Sequence, residues 1–208
     1  MRKVFGLLLG CLLAFSFVAV DVNQLSAADE IYVTSVEKAP VEDGGAVKEM
    51  ATIVLNDCIK VKEIQVIKVG GRISLKYPTY VSKAGKEYPQ FEPLTKQAKD
   101  EIEKAIESGK PSSKASKQIS YKISKYSRFT RASALKVFAA VDFNNAVRVE
   151  CKVMESAKGP WISFPARKPE GGGKWVKQIF ITNKKLKDAV EKALMDKYKS
   201  SASESEEE

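Results

Sequence analysis

The stretch that decides the fold is "VKEMATIVLNDCIKV", Val47 to Val61, because the chain contains a near copy of it, "LKVFAAVDFNNAVRV", at Leu135 to Val149. In each copy, two runs of apolar residues flank a two-residue polar turn. The turns are Asn56-Asp57 and Asn144-Asn145, and such dipeptides favour the tight turns that join antiparallel strands. The pattern predicts one β-hairpin in each copy.

The strand after this turn carries an irregularity in the first copy only. In the second copy, apolar residues alternate without a break from Val147 to Val153, as a strand with one buried face requires. In the first copy the alternation changes parity between Val61 and Ile64. One extra residue near Lys62 and Glu63 restores the register, so we expect a β-bulge there.

A repeated helix follows in each copy, written "KDEIEKAI" at Lys99 to Ile106 and "KDAVEKAL" at Lys187 to Leu194. Apolar residues at i, i+4, i+7 and i+8 give each helix one buried stripe. The stripes are Ala98, Ile102, Ala105 and Ile106 in the first helix, and Leu186, Val190, Ala193 and Leu194 in the second. Gly109 followed by Pro111 is a stop signal for the first helix.

These patterns indicate that a whole unit of strands followed by a helix has been duplicated. The predicted fold class is α+β, with two similar small domains, each an antiparallel β-sheet with a C-terminal helix. The predicted segments are a signal peptide at 1–28, repeat 1 at 29–108, a flexible linker at 109–118, repeat 2 at 119–199 and a disordered acidic tail at 200–208.

The first residues have the pattern of a secretory signal peptide. Arg2 and Lys3 precede an apolar run from Val4 to Val20, and small residues follow at Ser26 to Ala28. We therefore expect cleavage near Ala28 and an exported protein, periplasmic or secreted. The alternatives are a retained membrane anchor, although the run is shorter than the roughly 20 residues that span a bilayer, and lipidation at Cys11.

Charge and composition narrow the class of function. Between the predicted signal peptide and the four glutamates of the tail, the chain carries 33 basic and 21 acidic side chains, a net charge of +12. Such an excess favours polyanionic partners. The sequence has no histidine, which removes the commonest general base and a common zinc ligand. We expect no enzymatic activity and no catalytic residues, and neither a cofactor, a metal site nor a small-molecule substrate.

The block "PWISFPARKPEGGGKW", Pro160 to Trp175, resembles the septation regulator SpoVG family (stage V sporulation protein G). The family pattern is a proline and serine, a basic pair, a Pro-Asp-Gly turn and an aromatic residue. Here the proline is Pro165, Ala166 replaces the serine, the basic pair is Arg167-Lys168, and the turn is Pro169-Glu170-Gly171. Trp175 takes the aromatic place.

Repeat 1 departs from this pattern, since Pro78 and Tyr88 fit but Tyr80 and Val81 stand where the basic pair belongs. The resemblance implies nucleic-acid binding, to DNA or RNA, and control of gene expression around septation and sporulation, in the cytoplasm. These expectations apply best to repeat 2. Its candidate nucleic-acid-binding residues are Arg167, Lys168, Lys174, Trp175, Lys177, Lys184 and Lys185.

Three alternatives stay open at this point. The lysine-rich loop is also consistent with a solvated surface. An exported envelope or septum protein that binds a protein or an anionic polymer is the rival function, since a fold alone does not fix function. Cys58 and Cys151 could form a disulfide in an oxidising compartment, but they align with Ala146 and Ile64, which favours one buried thiol and one incidental thiol.

The duplication predicts how the repeats associate. The resemblance implies that single-domain relatives pair as dimers through their sheets. A linker between two copies makes that pairing intramolecular, at an effective concentration on the order of millimolar. We expect a monomer in which the repeats pack as a pseudo-dimer and repeat 2 supplies most of the binding charge.

Overall fold

The computed structural model describes residues 30–42, 45–114, 119–169 and 171–203, so the predicted signal peptide at 1–28 lies outside the described residues. The prediction of an α+β fold is confirmed: two five-stranded and two two-stranded antiparallel sheets are present in the described residues, and one helix follows the strands of each repeat. No helix in the described ranges is both long and apolar enough to cross a bilayer.

The two repeats have the same order of elements. The described part of repeat 1 forms β1 (Val33–Pro40), β2 (Val47–Leu55), β3 (Ile59–Val69), β4 (Arg72–Lys76), β5 (Thr79–Val81), β6 (Glu87–Pro89), β7 (Phe91–Pro93) and α1 (Lys96–Ser108). Repeat 2 forms β8 (Tyr121–Arg128), β9 (Leu135–Phe143), β10 (Val147–Ser156), β11 (Gly159–Ser163), β12 (Ala166–Arg167), β13 (Val176–Lys177), β14 (Ile179–Ile181) and α2 (Lys184–Ser203).

Both predicted hairpin turns are confirmed. Asn56 and Asp57 have φ of 47° and 55°, and Asn144 and Asn145 both have φ of 48°, the left-handed region that this turn needs at both positions. The Asn56 side chain accepts a hydrogen bond from the Tyr32 backbone N–H at 2.7 Å. In repeat 2 the Asn144 side chain accepts the equivalent hydrogen bond from the Ser120 backbone N–H, also at 2.7 Å. These buried side chains tie each turn to the chain that enters the first strand of its own repeat.

The predicted bulge in β3 is also confirmed. Ala51 of β2 pairs with Ile64, but Ile53 pairs with Val61, so β3 has one residue more than β2 between the two pairs. Glu63 has φ of 60°, which is uncommon for a residue other than glycine. The corresponding part of the β9–β10 pair continues without a shift as far as Val153. Glu63 is therefore an inserted residue that repeat 2 lacks.

Each sheet takes a strand from the other repeat. In the first sheet the order is β1-β2-β3-β14, with β4 also on β3, and in the second it is β11-β10-β9-β8, with β7 also on β10. Ile179 of β14 lies opposite Val61, and Phe91 of β7 lies opposite Val149. The two exchanges are related by the same shift of 88 residues that relates the repeats. Neither sheet is complete without the other repeat.

One hydrophobic core therefore runs through both repeats. The predicted stripe of α1 is buried throughout, whereas in α2 Val190 and Leu194 are buried and Leu186 is partly buried. The Thr95 hydroxyl caps α1 by accepting the Ala98 N–H at 3.1 Å. Gly109 ends α1 with φ of 66°, as the sequence predicts.

The structure places the end of α2 later than composition suggests. The helix continues through Ser203, into the segment predicted to be a disordered tail from Ser200. At the position that corresponds to Gly109, repeat 2 has Lys197, so the glycine that ends α1 has no counterpart in α2. Residues 204–208, with the acidic run, lie outside the described residues.

The predicted linker is anchored at its start, since the Ser112 N–H donates a hydrogen bond to the Val33 carbonyl at 2.8 Å. Residues 115–118 lie outside the described residues.

Cys58 and Cys151 are free thiols, and both are buried. Burial raises the pKa of Cys58 and raises that of Cys151 to about 12, so both thiols are poor nucleophiles. Cys58, expected to be incidental, thus belongs to the core.

Candidate nucleic-acid interface

The predicted basic loop is the tip of a short hairpin. In β12 and β13, Ala166 pairs with Lys177 and Arg167 pairs with Val176. Gly172 and Gly173 have φ of 82° and 104°, and glycine adopts such values without steric cost. Glu170 lies outside the described residues. The hairpin presents the residues between Arg167 and Val176 at one end of repeat 2.

Arg167 fastens this hairpin to repeat 1. Its Nε and Nη2 donate to the two carboxylate oxygens of Glu63, each at 2.7 Å, which is the bidentate geometry that makes such pairs strong. The buried Gln178 side chain donates to Glu63 Oε2 at 2.9 Å. Burial acts to raise the pKa of Glu63, but these hydrogen bonds outweigh it and hold the pKa below its ordinary value. The inserted bulge residue is therefore the anchor of the hairpin.

The other basic residues of the hairpin are exposed. Lys168, Lys174 and Lys177 all lie at the surface, and Trp175 is 67% exposed. Within the described residues, none of these three lysines forms an ion pair. This hairpin thus carries three exposed lysines and an exposed indole ring, and no ion pair to these lysines occurs among the described residues.

The remaining two candidates lie in the first turn of α2. Lys184 pairs with Asp188 one turn later, whereas Lys185 is exposed and has no ion pair in the described part of the chain. The Asn183 side chain caps the helix by accepting the Leu186 N–H at 3.0 Å. Two lysines at a helix N-terminus oppose the helix dipole, a mild cost that a bound anion would relieve. These lysines are separated from the hairpin by β14.

The corresponding hairpin of repeat 1, β5–β6, has different chemistry at its matching positions. Tyr80 pairs with Tyr88, so Tyr80 occupies the place of Arg167 and Tyr88 that of Val176. Trp175 is consequently one residue out of register with Tyr88, contrary to the alignment of the family pattern. The Tyr80 ring lies 4.8 Å from Lys152 Nζ of repeat 2. Each hairpin therefore contacts the third strand of the other repeat.

Sequence reasoning missed the residues that receive these hairpins. The sequence indicates Glu63 only as part of an insertion, and it carries no signal for Gln178 or Lys152. Their partners are distant in the chain, 104 residues away for Glu63 and Arg167. No cluster of three or more metal-ligating side chains occurs in the residues the structure describes.

Together, the sheets and hairpins define an α+β protein whose two halves have the same order of elements, exchange strands and, within the described residues, include an exposed basic hairpin. Residues 31–108 match the SpoVG family model, so this segment of the chain contains a SpoVG-like domain. No curated protein and no solved structure matches the chain. The matched segment is repeat 1, whereas the motif that suggests the family lies in repeat 2. The domain match supports a SpoVG-like regulatory role.

Proposed function

We propose that this chain is a SpoVG-like regulatory protein that binds DNA or RNA in septation- or sporulation-type control. The observation that carries the proposal is the β12–β13 hairpin, which carries the exposed Lys168, Lys174 and Lys177 together with the exposed Trp175. Phosphate contacts supply most of the affinity of such proteins, and an exposed ring beside them stacks on a base. Repeat 2 thus provides the main binding charge.

The proposal gives different roles to the basic residues. Arg167 is already engaged by the Glu63 carboxylate, so it positions the hairpin, while the three lysines contact phosphate. Lys185 extends the contact onto the start of α2, where an anion also meets the helix N-terminus. Lys184 contributes less because Asp188 shares its charge.

Export gives a second candidate function. The pattern of residues 1–28 favours a protein that crosses the membrane, and there the same hairpin would bind an anionic envelope polymer or a septum protein. A reporter fused after the signal region distinguishes the two locations. Cytoplasmic reporter activity and an unprocessed chain favour the nucleic-acid function, whereas processing near Ala28 favours the envelope function.

The hairpin is tested by replacing Lys168, Lys174 and Lys177 together with alanine. We expect weaker binding of labelled DNA and RNA oligonucleotides, measured by fluorescence anisotropy over a range of KCl concentrations. Each lost phosphate contact removes about 0.7 units from the logarithmic salt slope on a single strand and about 0.9 on duplex DNA. The triple variant should therefore lose roughly two units of slope on a single strand and nearly three on duplex DNA.

The matched control removes the same amount of charge elsewhere, by replacing Lys48, Lys104 and Lys110 with alanine. All three lysines are exposed and lie outside the β5–β6 and β12–β13 hairpins. This control should keep most of the salt slope. An equal loss in both variants would show that net charge alone attracts the nucleic acid, and an unchanged slope in the hairpin variant would refute the proposed interface.

A further inference from the structure

Six side chains from both repeats form a continuous surface that we call the aromatic strip. Its members, in spatial order, are Lys86, Tyr88, Tyr80, Lys152, Phe138 and Phe129. The first three come from the β5–β6 hairpin of repeat 1, and the others from the outer face of the repeat 2 sheet and its flank. The surface exists only because the two repeats pack together.

The rings are in contact but remain open to solvent. The ring centroids of Tyr80 and Tyr88 are 6.3 Å apart, and those of Phe129 and Phe138 are 6.1 Å apart. Tyr80, Tyr88 and Phe138 are 47%, 43% and 43% exposed. Exposed aromatic surface of this extent marks an interaction site more often than an accident of folding.

Lys152 joins the two ring pairs. Its Nζ lies 4.8 Å from the Tyr80 centroid and 6.0 Å from that of Phe138. Partial burial lowers its pKa, and no carboxylate pairs with it among the described residues. A partly desolvated ammonium without an anion is costly, and a ligand that brings a negative charge to this position removes that cost. Lys86 places a second cation 5.1 Å from the Tyr88 centroid.

The duplication supplies an internal comparison. In the β2–β3 pair, Met50 lies opposite Gln65, at the positions where Phe138 lies opposite Lys152 in the β9–β10 pair. The place of Tyr80 is taken by Arg167, which pairs with Glu63. The other half of the molecule therefore has no ring at the positions of Tyr80 and Phe138 and no cation at that of Lys152, and the strip belongs to one side only.

We infer that the aromatic strip binds single-stranded nucleic acid, with bases stacked on its rings and phosphates beside Lys86 and Lys152. This inference rests on the proposed function and assigns it a second surface, distinct from the β12–β13 hairpin. Alternating rings and cations suit a ligand that alternates flat bases with phosphates. In a duplex the base faces are stacked and cannot contact the rings. A polyanion without bases could contact only the two lysines.

The test removes rings without changing charge, in a variant with Tyr80→Leu, Tyr88→Leu and Phe138→Met. The last change installs the residue that repeat 1 carries at the same position. Wild-type protein is expected to bind an oligothymidine about tenfold or more tightly than an abasic oligonucleotide of equal length, because each stacked base contributes about 1–3 kcal/mol. The ring variant should lose most of this preference and keep only the part that Trp175 contributes, with the salt slope unchanged.

The control variant carries Val69→Ala and Ile73→Ala, which remove exposed apolar surface from the β3–β4 hairpin; its preference for the oligothymidine should persist. Circular dichroism and the unfolding midpoint show whether each variant is folded. Equal wild-type affinity for oligothymidine and abasic ligand, or an undiminished preference in the folded ring variant, would overturn the inference. Either result leaves the hairpin proposal standing if the Lys168, Lys174 and Lys177 variant still loses its salt slope.

Discussion

Arg167 and Tyr80 occupy the same place in the two halves of the molecule, and each holds its hairpin against the third strand of the opposite repeat. Arg167 brings a cation to a carboxylate, Glu63, in a bidentate ion pair. Tyr80 brings a ring to a cation, Lys152. The docking position has therefore been kept, while the chemistry of the contact has been replaced on both sides.

This difference shows what a covalent duplication permits. In a dimer of identical chains, both hairpins would have to use the same contact. In a single chain, each hairpin and the strand it touches can differ from the other pair, as they do here. The ionic contact leaves the lysines of repeat 2 at the surface, and the aromatic contact creates the strip on the other side. The molecule consequently has two chemically distinct surfaces built on one repeated scaffold.

The largest effect is expected from substitutions that disrupt the exchanged strands, on which both contacts depend. Phe91 in β7 and Ile179 in β14 are equivalent, and each is at most 2% exposed. We expect Phe91→Ala to lower the free energy of unfolding by about 3–5 kcal/mol and Ile179→Ala by about 2–5 kcal/mol, since each leaves a cavity in the shared core. Urea titration measures both losses.

The same titration shows whether the halves unfold together. Both tryptophans, Trp161 and Trp175, lie in repeat 2, so their fluorescence follows that half, while amide exchange at β2 and β3 follows repeat 1. Coincident transitions are expected because each sheet contains a strand from the other repeat. The exposed Ile73→Ala is the control and should shift stability by less than about 0.5 kcal/mol. Separate transitions would show that the exchanged strands do not couple the repeats.

The features that the sequence predicts correctly are local ones. The Asn-containing turns, the bulge at Lys62 and Glu63, and the stripe of α1 each follow from residues within one turn or one pair of strands. Comparing the copies made the bulge visible, because repeat 2 shows the uninterrupted pattern.

The exchange of β7 and β14 could not be predicted, because each strand has only three residues, and so short a pattern fits either sheet equally well. The pairing of Arg167 with Glu63 and the position of Lys152 depend on that exchange. The sequence therefore identifies the candidate lysines of the hairpin but not what holds it in place. The aromatic strip could not be predicted for the same reason, since its rings come from different repeats.

Two double-mutant cycles sharpen the comparison between the hairpin contacts. For the ionic contact, Glu63→Gln and Arg167→Gln are combined, and we expect a coupling of about 1 kcal/mol, because the pair is bidentate but partly exposed. For the aromatic contact, Tyr80→Leu and Lys152→Gln should give about 0.5–1 kcal/mol. Urea unfolding of each single and double variant supplies the values. Additive effects in either cycle would mean that the contact does not hold its hairpin.

The smallest expected effect is a pH dependence of stability, which should differ between the ionic and the aromatic contact. The folded-state pKa of Glu63 lies below its ordinary value, so its contribution to stability is present above the ordinary glutamate pKa and is lost as the pH falls through the folded value. The difference in unfolding free energy between wild type and Glu63→Gln should therefore shrink below about pH 4.3, with the other carboxylates cancelling because both proteins contain them. Acid keeps Lys152 charged, so the coupling of Tyr80 and Lys152 should stay constant over the same range. A Tyr80 coupling that declines in parallel, or a Glu63→Gln difference that persists at low pH, would show that the hairpins are not held by the two kinds of contact described.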